Sequence, residues 1–207
     1  MDARPTRGIA WSKDDPLGAE FVEVRLGPDD LVARGVAIGS APVPYRLDYE
    51  LETAARFVTA RFAATVCGNG WTRTLDLVRD PSGVWKETAR DGGDRPAPVS
   101  RVSTDVGALA GALDIDLGLS PFFNTMPVLR HGLLRQRGAI DFVMAWVSVP
   151  DLAVHRSLQR YSLVEELGDG RSVVLFESLG GDGFAAEIEY DAEGFVLDYP
   201  SIATRIR

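Results

Sequence analysis

Through most of this chain apolar and polar residues change places at every second position, the period of a strand with one buried face. Val22, Val24 and Leu26 oppose Phe21, Glu23 and Arg25; Leu47, Tyr49 and Leu51 oppose Arg46, Asp48 and Glu50; Trp71, Arg73, Leu75 and Leu77 oppose Thr72, Thr74 and Asp76. Across residues 57–67, Val58, Ala60, Phe62, Ala64 and Val66 form one face, and Phe184, Ala186, Ile188 and Tyr190 do the same near the end of the chain. Segments of helical period are scarce. The pattern therefore predicts a mostly β, antiparallel fold, with room for a helical turn at residues 53–57 and 105–113.

Turn chemistry supports the strands. Asp80-Pro-Ser-Gly83 and Asp191-Ala-Glu-Gly194 share the skeleton Asp-x-x-Gly between apolar runs. The Asp side chain can accept from its own turn and Gly tolerates positive φ. The shared skeleton reads either as a trace of two similar halves or as ordinary hairpin chemistry. Asn69-Gly70, Gly168-Asp-Gly170 and Gly180-Gly-Asp-Gly183 mark further turns. Residues 90–98, rich in Gly, Pro and charge, read as a surface loop within one sheet, so a single domain over residues 1–207 is expected.

Composition narrows the partners. A net charge of −8, with positive charge carried almost wholly by Arg, disfavours nucleic acid and anionic membrane surfaces. One cysteine, Cys67, excludes an internal disulfide. No apolar run approaches the roughly 18 residues that span a bilayer, and the polar N-terminus lacks a signal-peptide core. A cytoplasmic, soluble protein is expected. No cofactor motif is present: the glycines of 180–183 lack the Lys-Ser/Thr of a phosphate loop.

The segment 114–130 breaks the alternation. Asp114 and Asp116 are two apart and share a strand face, leaving Leu113, Ile115 and Leu117 for the core. Ser120-Pro121 ends that strand. Phe122 and Phe123 are either core plugs or the lining of an apolar cavity. Asn124 or Thr125 can cap a short helix, with Pro127 in its first turn and Gly132 as its stop. Arg130, one turn on, either helps hold an anionic head group or pairs with Asp114 or Asp116. The histidines, His131 and His155, allow an acid–base pair with these carboxylates, but no nucleophile motif accompanies them. Trp11, Trp71, Trp85 and Trp146 are sugar-stacking platforms or core residues.

From Asp114 the order Asp-x-Asp-Leu-x-x-Ser-Pro-Phe-x-Asn-Thr-Met-Pro-Val-x-Arg resembles the signature of a glycolipid-binding family of uncharacterised bacterial proteins. Tyr45-Arg-Leu-Asp-Tyr49, Gly70-Trp71, Trp85, residues 146–152, Gln159-Arg-Tyr161 and residues 194–200 agree in order, so the likeness spans nearly the whole chain. It departs at Leu129 and His131, where the family usually carries Arg and Leu, which weakens any double-Arg anion clamp. The resemblance implies a single antiparallel spiral β-roll, a half-barrel of long curved strands with one or two short helices. It also implies a non-catalytic protein holding a glycolipid or other amphipathic small molecule on its curved sheet. Asp114, Asp116, Asn124 and Arg130 would then meet the polar head, beside Phe122 and Phe123. Two alternatives stay open: a hydrolase built on Asp114 or Asp116 with a histidine, and an interaction module whose apolar face is closed by a second copy in a homodimer.

Overall fold

The computed structural model describes residues 5–94, 99, 105–181 and 183–206. Among them fourteen strands form one open, curved sheet. The first seven are β1 (Arg7–Lys13), β2 (Gly18–Leu26), β3 (Leu31–Gly39), β4 (Tyr45–Thr53), β5 (Thr59–Gly68), β6 (Trp71–Arg79) and β7 (Trp85–Gly93). They run outward as a meander from the middle of the sheet to one edge. The chain then crosses to the opposite edge at β8 (Asp114–Leu117). A helix, α1 (Thr125–His131), follows, and the chain returns through β9 (Ala139–Val147), β10 (Val154–Glu166), β11 (Ser172–Ser178), β12 (Ala185–Tyr190) and β13 (Val196–Tyr199). It ends at β14 (Ala203–Arg205), which pairs with β1.

The alternating faces fall where the pattern puts them, except at the start of β5, where the register against β4 shifts and Phe57 and Thr59 are buried while Val58 and Ala60 are only half-buried. Val22, Val24, Leu47, Leu51, Phe62, Val66, Leu75 and Leu77 are buried in one core, and Ile188 and Tyr190 in a second. Three inner-face aromatics lie across glycines of neighbouring strands or turns: a Cβ on Gly35, Gly39 or Gly68 would collide with Tyr49, Tyr45 or Trp71. The missing side chain makes space for a ring that covers the bare backbone.

The sheet is antiparallel except at one place. β8 pairs parallel with β9, with Asp116 opposite Trp146 and Leu117 opposite Val147. A parallel pair needs a long crossover, and the helix α1 supplies it. These two strands are covered on both sides: Ile115, Leu117, Ala145 and Val147 belong to the first core, while Phe142 and Met144 belong to the second. That explains why residues 142–149 form an almost continuous apolar run, since a strand buried on both faces has no polar side to alternate with.

Two expectations need correction, and one reading left open is decided. The antiparallel pattern misses the β8–β9 pair, which four residues at a buried edge are too short to reveal. Residues 90–93 are not loop but the end of β7, where Arg90, Asp91, Gly92 and Gly93 pair with Thr74, Arg73, Thr72 and Trp71. An edge strand tolerates their polarity because one side needs no partner strand; residues 95–98 lie outside the described residues. The two Asp-x-x-Gly turns do close hairpins: Asp80 and Asp191 each accept from the backbone N–H groups two and four residues on, and Gly83 and Gly194 have φ of 92° and 86°. However, the first half of the chain runs outward and the second inward, so the hairpins occupy unlike places in the sheet. Turn chemistry, not a repeated half, accounts for the match.

The stretch before β8 is hung from the far end of the first half. The Ala112 carbonyl accepts from Arg79 Nε at 3.1 Å and Trp85 Nε1 at 3.2 Å, and the Leu113 carbonyl accepts from the Thr59 N–H at 2.9 Å. Short 3-10 turns at Ala55–Phe57 and Val106–Leu109 stand where helical turns are expected.

Candidate functional site

The site grows out of the corner after β8. A tight turn puts Leu119 in the left-handed region at φ 62°, Ser120 follows, and Pro121–Asn124 makes a 3-10 turn that continues directly into α1. Gly132, at φ 59°, ends the helix as predicted. Asn124 does not cap it with its side chain; the 3-10 turn occupies the place of a cap, and the Asn124 carboxamide turns inward. The helix covers the second core with Val128.

Asp114 and Arg130 close on one another. Arg130 Nη1 donates to Asp114 Oδ2 at 2.6 Å and Nη2 donates to Oδ1, a bidentate pair with both side chains essentially inaccessible. Arg130 also donates to the carbonyls of Arg56 at 2.9 Å and Phe57 at 3.1 Å. Those two residues sit at φ 59° and 56°, so Arg130 holds a strained turn as well as the strand. Of the two readings left open for Arg130, the structure takes the pairing. Phe122 and Phe123 are core: they pack with Tyr49, Phe62 and Phe195 at ring-centroid distances of 5.2–6.4 Å.

Asp116 and Asn124 face a different environment. A half-open cavity of about 510 Å³ lies beside β8, with Asp116, Leu119, Asn124, Trp146, Gln159 and Tyr199 in its lining, and Phe176, Phe184 and Ile202 as its apolar wall. This volume is in the range of small-molecule sites. Gln159 Nε2 donates to Asp116 Oδ2 at 2.6 Å. The Tyr161 hydroxyl donates to Asn124 Oδ1 at 2.8 Å. The buried amides are thus oriented by their neighbours, while Asp116 Oδ1 takes no hydrogen bond from the described residues. Burial pushes the Asp116 carboxyl up to about 6; donation from Gln159 opposes the rise and the Asp114 carboxylate adds to it. Burial likewise pushes the Tyr199 hydroxyl far above its ordinary value, with Asp116 as the second cause.

The remaining candidates fall outside this arrangement. His131 packs edge-on against Phe142 and His155 lies against Trp146, at ring distances of 5.3 and 5.5 Å. Neither donates to Asp114 or Asp116 among the described residues. Burial, then Arg130, lowers the pKa of His131. Trp11 and Trp85 are core residues that donate to the carbonyls of Val196 and Ala112, and Trp71 covers Gly68; Trp146 alone of the four lines the cavity. A second hollow of about 590 Å³ lies on the outer face of β3–β7. Its charges are engaged in surface pairs such as Arg34–Glu50 and Arg61–Asp76, so it reads as solvated sheet surface. Among the described residues no group of three or more His, Cys, Asp or Glu could hold a metal ion, and no helix is long and apolar enough to cross a membrane.

Of the six residues singled out by sequence, the structure therefore brings Asp116 and Asn124 to the cavity and puts Asp114, Phe122, Phe123 and Arg130 into the framework behind it. Trp146 was one of four tryptophans read as stacking platforms or core, while Gln159 and Tyr199 were not singled out as ligand contacts. Each lies in a stretch that carries the family resemblance (146–152, 159–161, 194–200), and that shared membership was the available signal.

Comparison with known proteins agrees with the fold. The family model described as "Putative glycolipid-binding" matches residues 8–205. A crystal structure of a DUF1089 family protein from Pseudomonas aeruginosa superposes with a TM-score of 0.67 at 28% identity, covering 90% of this chain and 92% of that one. No functionally curated protein matches the chain.

Two outcomes are expected. Arg130→Met leaves the Asp114 charge buried without its partner and should cost about 3–5 kcal/mol in urea unfolding; a loss below about 1 kcal/mol would mean the pair is incidental. Asp116→Asn should act in the opposite direction and depend on pH. The folded carboxyl titrates near 6, above 3.8 for the unfolded chain. Its ionisation penalty is therefore absent in acid, grows as pH rises from about 3.8 and is complete above about 6. The variant should gain on the order of 1–3 kcal/mol over the parent at pH 8 and little at pH 4, read from melting temperatures.

Proposed function

The chain belongs to the family described as Putative glycolipid-binding, and from that premise we propose that it is a non-catalytic binding protein for an amphipathic ligand, held in the cavity beside β8. The ligand's apolar part packs against Phe176, Phe184 and Ile202, and its polar part meets Asp116, Gln159 and Asn124. One observation carries this reading. A single half-open cavity sets a carboxylate with one unengaged oxygen against an aromatic and aliphatic wall. Such a lining, mostly apolar with a few convergent polar groups, is what an amphipathic molecule requires.

The chemistry of the carboxylate favours binding over turnover. Its hydrogen-bond partner is the Gln159 amide, and the two histidines pack instead against Phe142 and Trp146, so the carboxylate–histidine pair that a hydrolase reading calls for is not assembled at the cavity. The two amides are pinned by Tyr161 and by Asp116. A preorganised polar end of this kind reduces the ordering cost of binding.

Native mass spectrometry of the protein purified from a bacterial host, followed by solvent extraction, tests the proposal. Added lysolipid or a copurifying lipid should appear as a one-to-one adduct that Trp146→Glu, which puts a charge into the cavity wall, removes or weakens at least about tenfold. Absence of any lipid adduct, or adducts that persist unchanged in Trp146→Glu, would overturn the assignment.

A further inference from the structure

Resting on that reading, we infer that the ligand's polar end is a cation, the ammonium of an amine-headed amphiphile, and that Asp116 is its counter-ion. The two carboxylates of β8 have one guanidinium between them. Arg130 is closed on Asp114 by a bidentate pair with both side chains essentially inaccessible. Asp116 lines the cavity half-buried, close enough to Asp114 to feel its charge, and forms no ion pair with a described residue. Its hydrogen bond from Gln159 Nε2, at 2.6 Å, comes from a neutral amide. The inner end of the cavity thus carries a negative charge that the described residues leave unbalanced. Such a charge is costly when withdrawn from water. Burial pushes the carboxyl up to about 6, which leaves it ionised at pH 7.5. A cation offsets that cost. A neutral head solvates the carboxylate without neutralising it, and an anion adds repulsion.

Arg156 also borders the cavity, but it does not balance Asp116. It pairs with Ala145, which enters the first core, so its side chain leaves β10 on the face opposite to Ser157 and Gln159. It is exposed there, where water and salt screen a charge that the half-buried carboxylate keeps.

The groups around the carboxylate suit an ammonium. Trp146 stands opposite Asp116 in the parallel register, so indole and carboxylate leave neighbouring strands on one face. Phe176, Phe184 and Tyr199 form the adjoining wall, their ring centroids 6.0–6.3 Å apart. Aromatic faces attract an ammonium through their quadrupole and give its alkyl chain apolar contact. Acceptors are at hand as well. Asp116 Oδ1 and the Tyr199 hydroxyl engage no described residue. Ser157 Oγ accepts from Gln159 Nε2 at 3.3 Å and keeps a second lone pair. A primary ammonium brings three donors and no acceptor to such a lining. The stability that Asp116→Asn is expected to gain is, on this account, the cost of holding a counter-ion ready in an empty site.

Isothermal titration of the full chain with octylamine, octanol, octyl β-glucoside and octyl phosphate tests the inference, each below its micelle concentration at pH 7.5. At that pH an alkylamine is protonated. Roughly 0.15 M salt screens exposed charges beyond about 8 Å, which suppresses diffuse attraction of a cation to the acidic surface. Octylamine should bind one-to-one and at least about tenfold tighter than the other three. In Asp116→Asn, which removes a single charge from a net −8 and whose folding is checked by its melting curve, octylamine should fall to within about threefold of octanol. If octyl glucoside or octyl phosphate binds as well as octylamine, or if Asp116→Asn keeps the preference for the amine, the head-group inference fails while amphiphile binding stands. If none of the four binds, the underlying proposal of an amphipathic ligand fails with it.

Discussion

β8 and β9 must be covered on both faces, and most of the molecule's arrangement follows from that. Alternate residues of the pair enter two different cores, so the sheet has to reach round them from each side. The long outward meander covers one side, and the returning meander with α1 covers the other. A strand pair in this position cannot carry a polar face to solvent, so its polar groups need partners inside the protein. Asp114 has Arg130; Asp116 has Gln159. The difference between them is the site: one carboxylate is closed by a bidentate guanidinium, and the other keeps an oxygen toward a cavity.

The same constraint explains why framework and cavity are contiguous in sequence. The corner from Ser120 to Arg130 must pass from one core to the other within a few residues. Its aromatic plugs face the first core, where Phe122 and Phe123 lie among Tyr49, Phe62 and Phe195. Asn124 reaches Tyr161 in the second. Ser120 bridges outward as well, donating at 2.6 Å to Glu20, a buried carboxylate that also accepts from the Tyr49 hydroxyl at 2.7 Å and lies 3.5 Å from Lys13. The cavity's back wall is therefore tied to the far sheet by hydrogen bonds of buried groups, which hold its polar residues in place at a cost in desolvation.

Much of this was legible from the residues. Period-two alternation located the inner faces of β2, β4, β6 and β12, and of β5 from Phe62 on, and Asp-x-x-Gly located two hairpins. Gly132 located the end of α1. What alternation cannot show is which face of a strand finds a second core, because Phe142 and Met144 look no different from Val143 and Ala145 in the sequence. Nor does it show long-range polar pairing. Glu20 falls on the inward parity of β2 with Val22 and Val24, and nothing near it in the chain shows what satisfies a carboxylate there: Tyr49 and Ser120, 29 and 100 residues away, donate to it. For the site, local patterning marked the corner but not its orientation. Asp114 and Asp116 are chemically equivalent in the sequence; Arg130 and Gln159 make them different, and only the second lies far enough along the chain, 43 residues, to be invisible to spacing arguments.

The central claim is that the cavity beside β8 is where an amphipathic ligand sits. Methyl chemical-shift mapping of the full chain during titration with octyl β-glucoside below its micelle concentration tests this most directly. The account predicts saturable shifts at the methyls of Leu119, Val149 and Ile202, which line the cavity, with Ile38 and Leu158, exposed elsewhere on the sheet, left in place. Shifts confined to those exposed residues, or no saturable shift at the cavity methyls, would contradict it.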